Sequence, residues 1–235
     1  MRRTMIRRSP WRAVLVVVSV ALLLAACQPA TQTTPLAGGT TVKTVTFTIA
    51  QRNPDRSPVR WNPCAPIHYV VRVTHAPSFA LAEISRAVQA LESASGLDFV
   101  YDGVTSERPP RDGATLPDGS PRPVLISFAT ATEVPFGSPL ASGWGQALTT
   151  TDSQSGARRY VTGQVVLRPG GWTEGTSSAN PLSLMLRHEL GHVVGLAHVS
   201  ATTEIMGTGG NGTARRWGPG DLAGLAAVGR PAGCL

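Results

Sequence analysis

The run His188-Glu189-Leu190-Gly191-His192-Val193-Val194-Gly195-Leu196-Ala197-His198 constrains this chain more than any other stretch of it. Upstream, Asn180 followed by Pro181 makes a helix start: a side-chain cap, then a proline at the first helical position. The residues from Leu182 continue helically to Gly195. On that helix His188 and His192 lie one turn apart, so both imidazoles leave the same face and can grip one metal ion. Glu189 sits beside the first histidine, placed to reach a water on that ion without being a ligand. Gly195 has no Cβ and can adopt positive φ; a sharp turn there brings His198 back to offer a third nitrogen. Three histidines with the fourth position left to water make the open, catalytic kind of zinc site, whereas structural sites close on four protein ligands. Two histidines on an amphipathic helix can also be ordinary core or surface residues. The glycine and the third histidine at this spacing favour the metal.

The rest of the chain reads as one α/β domain. Ile67–Val73 is a first strand, and Phe79–Ser95 has a helical apolar period with Ser78 as its N-cap and Gly96 as its stop. Leu97–Tyr101 and Val124–Phe128 are further strands, and the strand–helix–strand order favours parallel pairing. Val104–Arg122, rich in proline and glycine, is a surface loop. Gly145–Thr151 and Tyr160–Leu167 form a hairpin across the turn at Asp152–Gly156, which makes the sheet mixed. The expected fold is therefore a mixed, mostly parallel five-stranded sheet. Gly 25 and Pro 19 point to a loop-rich domain rather than a helical bundle, while 42% apolar residues suffice for a core.

The N-terminus reads as a targeting segment. Basic Met1–Arg12 precedes apolar Ala13–Ala26, which is shorter than the roughly 20 residues of a membrane-spanning helix. Leu24-Ala25-Ala26-Cys27 resembles the lipobox of bacterial lipoproteins, in which the peptide is cut before a cysteine that carries lipid. An ordinary secretory signal ending in a cysteine is the plainer alternative. Residues 1–26 are thus expected to be removed and residues 27–58 to form a flexible tether. Within that tether, Val42–Ala50 is a strand pattern that could be an extra edge strand or part of a pro-segment. The catalytic domain is expected over 59–235. The formal charge of +7 does not indicate a nucleic-acid partner. Arg2, Arg3, Arg7, Arg8 and Arg12 lie in the targeting segment, and without them 16 basic residues face 14 acidic ones. With Cys27 lipidated, Cys64 and Cys234 are left as an even pair in an oxidising compartment, either bridged or as two free thiols. A bridge would close most of the domain into one loop, worth on the order of 5 kcal/mol in the loop-closure treatment.

The extended zinc string, followed by Ile205-Met206-Gly207, resembles the signature of the metzincin metallopeptidases, and its spacing is similar to the matrixin branch. GLDFVY after the first helix, the strand GQVVLRP and the closing GPGDLAGLAAVG resemble matrixin elements over roughly residues 60 to 230. Val199 stands where matrixins have serine, and the glycine-rich GTGGNGT replaces the usual pocket residues after the methionine. The resemblance implies a metzincin-type α+β fold with an active-site helix and a small C-terminal subdomain. It further implies one catalytic Zn2+ on His188, His192 and His198, with Glu189 as general base and Met206 packing beneath the metal. No calcium ligands stand out. The implied activity is endopeptidase cleavage of extracellular protein or peptide substrates, by a monomer lipid-anchored outside a bacterial membrane. The rival is a lipid-tethered, non-catalytic binding module with a structural zinc. His68 and His75 read as structural or exposed, Trp144 and Trp172 as core or rim residues with lining of the cleft as the alternative, and Arg158-Arg159 and Arg215-Arg216 as solvated turns.

Overall fold

The computed structural model describes residues 32–35, 44–111, 113–137, 141–175, 180–208 and 213–235. Residues 1–26, read above as a targeting segment, and Cys27 lie outside the described residues. Strands β3 (Ile67–Arg72), β4 (Phe99–Val104), β5 (Val124–Phe128), β6 (Gly143–Thr151) and β7 (Arg158–Leu167) form one sheet in the order β4-β3-β5-β7-β6. All its pairings are parallel except β6 with β7, so the sheet is mixed and mostly parallel. Helices α1 (Ala80–Ser95) and α2 (Pro181–Val193) pack against each other and supply one wall of the core. Helix α1 buries Ala80, Ile84, Ala87, Val88 and Leu91, the recurring face expected of an amphipathic helix.

Several boundaries differ from the sequence reading, among them the starts of α1 and β4. Helix α1 begins after Phe79 without a side-chain cap, because the half-buried Phe79 ring packs on the core and leaves Ser78 one residue outside. Gly96 ends the helix as expected, with φ of 68°. Strand β4 starts at Phe99 rather than Leu97, and the Phe99 N–H is taken by the Glu92 carboxylate at the end of α1.

Upstream, the stretch expected to be a tether carries the extra strand that was its alternative. Strand β2 (Thr44–Ile49) belongs to the packed unit, which therefore reaches back well before Val59. Its alternate residues Val45, Phe47 and Ile49 are buried, and it pairs antiparallel with β8 (Leu196–Ala197). On its other edge it pairs with β1 (Gln32–Pro35). Helix α3 (Pro219–Val228) lies against β2, α1 and β8. Arg158 is not a solvated turn residue. Its guanidinium donates to the Arg52 carbonyl at 2.7 Å and to Gln51 Oε1 at 3.2 Å, fastening the chain just after β2 onto the sheet.

Cys64 and Cys234 are joined by a disulfide, and Arg60 Nη1 donates to the Gly233 carbonyl at 2.7 Å. Together they hold the C-terminal turn Arg230–Ala232 against the start of the sheet. Among the described residues no helix is long and apolar enough to cross a membrane.

A polar knot fastens the loop after β5. Buried Arg72 donates from Nη1 to the Phe128 carbonyl and from Nη2 to Glu133 Oε1, both at 2.8 Å. His75 Nε2 lies 3.2 Å from Glu133 Oε2. The Thr130 N–H, and then Arg72, hold the Glu133 carboxyl down to about 2 against partial desolvation. Because this pKa lies below its free value, ionised Glu133 stabilises the fold above the ordinary carboxylate range. That stabilisation is lost as pH falls toward 2. Thermal melts between pH 6 and pH 3 should therefore fall more steeply for the wild type than for Glu133→Gln; parallel slopes would contradict the assignment.

Candidate metal centre

Asn180 starts α2 by accepting the Leu182 N–H at 2.9 Å on its side-chain oxygen, with Pro181 at the first helical position. His188 and His192 then leave one face of α2. The helix stops at Val193, and Gly195 takes φ of 107°, a conformation that disfavours any residue with a Cβ. The two-residue strand β8 follows and delivers His198 to the same point. His198 Nε2 lies 3.0 Å from His188 Nε2 and 3.1 Å from His192 Nε2. The three ligand atoms all lie within 4.8 Å of one another.

Outer bonds fix the state of two of the rings. His188 Nδ1 is 2.7 Å from the Ile205 carbonyl and His192 Nδ1 is 2.9 Å from the Leu196 carbonyl. A carbonyl can only accept, so each Nδ1 carries the proton and each Nε2 presents a bare lone pair to the centre. Burial lowers the pKa of His188 and takes that of His192 down to about 4, so both are neutral near pH 7. A single proton on His198 could bridge one pair of nitrogens at a time. A cation satisfies all three. Tetrahedral zinc at about 2.0–2.1 Å from nitrogen separates its ligands by roughly 3.3 Å, close to the observed spacing. The donor set therefore fits a metal ion. No protein-family model matches this sequence, and no curated protein matches it. The chain is an α/β protein whose three clustered histidines can hold a metal ion.

Around the cluster is a cleft of about 860 Å³ between β6 and α2. Glu189 lines it with only 4% exposure. Burial pushes its carboxyl up to about 7, opposed by one hydrogen bond from the Gly145 N–H. That bond depends on close approach: a Cβ at Gly145 would collide with the Glu189 carbonyl, so only glycine lets β6 ride on α2 at this point.

Met206 is buried beneath α2, and a Cβ at Gly191 would run into its sulfur. The chain around Met206 is itself fixed by Asp221 on α3, which sequence reading did not single out. Its carboxylate accepts N–H bonds from Ile205 at 2.6 Å, Met206 at 3.2 Å and Gly218 at 3.0 Å. Burial raises Asp221 to about 6 against those three donors, with Glu204 nearby adding to the rise. An acid three residues after a Gly-Pro helix start is a capping signal; what it could not reveal was that the same carboxylate also reaches Ile205 and Met206. Trp144 lines the cleft from β6, while Trp172 packs on the core and donates from Nε1 to the Arg168 carbonyl at 2.8 Å. His68 pairs with Asp102 at 2.9 Å, away from the centre.

Proposed function

We propose that this chain is a zinc-dependent endopeptidase of the metzincin type, matrixin-like in its spacing, exported and lipid-anchored through Cys27. The observation that carries the reading is the buried Glu189 carboxyl in the same cleft as three converging imidazole nitrogens. Three imidazole ligands without thiolate suit zinc, and among the described residues no fourth protein ligand closes the group. That argues against a purely structural clip, which would also have no use for a desolvated acid beside the ligands.

Zinc held there would supply Lewis acidity, polarising a peptide carbonyl and making a water acidic near neutral pH. Glu189, buried in the same cleft beside the first ligand, would take that water's proton and pass it to the leaving amine. The Gly145 N–H fixes the carboxylate's orientation. Strand β6 closes the sheet beside the cleft and pairs with β7 on one side only, which leaves its other edge to add an extended substrate as a further strand. Main-chain pairing of that kind tolerates many sequences. Export and the lipid anchor rest on the residues before Gln28.

A peptide-library digestion by the chain from Gln28 onward tests the reading. The expected result is internal cleavage with a reproducible preference around the scissile bond. A folded, zinc-loaded protein that cuts nothing in a diverse library would favour the binding-module alternative.

A further inference from the structure

Strand β2 lies far from the metal-binding string in sequence, yet it is bonded to the short stretch that lies between His192 and His198. Thr48 pairs with Ala197 and Ile49 with Leu196, and the Ala50 N–H donates to the Gly195 carbonyl at 2.9 Å. His198 is the next residue after this pairing. The Leu196 carbonyl, held in the same ladder, receives the His192 Nδ1–H. The ladder thus sets the position of His198 through the chain and the ring orientation of His192 through its outer bond. On the far side of His198, Val199 is bonded to the Met206 carbonyl, and Asp221 holds that segment in turn. His198 is bracketed from both sides. Helix α2 by itself supplies neither bracket.

We infer that β2 is a positioning element for the metal centre, clamping the Gly195–His198 turn into the geometry that binds the ion. The inference rests on the three histidines forming a metal site and not on peptidase activity. Its physical basis is cooperative. The two-residue β8 is too short to hold an extended conformation unaided, and Gly195 frees the turn to move. Phe47 and Ile49 anchor the clamp in the core, and the Arg158 guanidinium fastens the chain immediately after it. Coupling of this kind is reciprocal: metal binding steadies β2 as β2 steadies the site. Pulling or excising the segment before Gln51 would therefore lower metal affinity, although no ligand lies in it.

Ala50→Pro tests this, because it removes the N–H that reaches Gly195 while the side chain at 50 is exposed and fills no core volume. Zinc dissociation constants would be measured by chelator competition for wild type, Ala50→Pro and Val88→Ala. The last loosens the core from α1 without touching the turn. Cobalt(II) spectra would report ligand geometry. We expect Ala50→Pro to bind zinc about 10–100-fold more weakly, with an altered cobalt spectrum. Val88→Ala, when folded, should bind like the wild type. Amide exchange at Ala50 in the wild type should slow when zinc is added. A folded Ala50→Pro with wild-type affinity overturns the inference. If that variant does not fold, exchange at Ala50 that ignores zinc overturns it instead. Failure of the wild type to take up zinc would remove the metal site itself, a result distinguishable from either.

Discussion

Glu189→Ala is expected to reduce peptide cleavage by about 10²–10⁴-fold while leaving one metal ion bound per chain. Its side chain lines the cleft but is absent from the three-nitrogen cluster, so the ligand set is untouched. With the metal removed from both, the same variant should melt no lower than the wild type. In the fold Glu189 is a desolvated acid with its carboxyl raised to about 7 and a single hydrogen bond from Gly145, a position that costs stability at neutral pH. Removing it relieves that cost. Lost activity with retained metal and unchanged or higher melting temperature is a combination that misfolding cannot mimic. Loss of the metal would mean that Glu189 ligates, and the assignment of roles would be wrong.

Asp221→Ala should produce the largest loss of stability of any single polar substitution near the site. The variant strands three buried N–H donors, from Ile205, Met206 and Gly218, in a place water does not reach. At about 1–3 kcal/mol for each unsatisfied group, partly offset by no longer burying an acid, a net loss of about 3 kcal/mol is expected. Denaturant unfolding reads this directly. Metal affinity should fall as well, because Ile205 also offers its carbonyl to His188 Nδ1. Asp221→Asn keeps one acceptor oxygen and should fall between the two. A change below about 1 kcal/mol in the alanine variant would show that the Met206 segment is held by other contacts.

The centre was legible in sequence because its parts are local. His188 and His192 share a helix face, and Gly195 permits the return of His198, all within one short run. Helices α1 and α2 and the five strands were legible for the same reason, since each carries its own period. What sequence could not supply was pairing at a distance. The strand pattern over Val42–Ala50 was visible, but its partner is a two-residue strand too short to register as a pattern. Asp221 was not singled out, and its reach across to Ile205 and Met206 depends on how α3 docks. Gly145 was countable as a strand residue; the helix backbone pressed against it was not.

The central claim is most directly tested by stripping the purified protein of metal and titrating zinc back while following cleavage of a library-derived peptide. The stripped protein should cleave nothing, and activity should recover in full at one zinc per chain. Cleavage that persists after stripping, or that fails to return once zinc occupies the site, would contradict it.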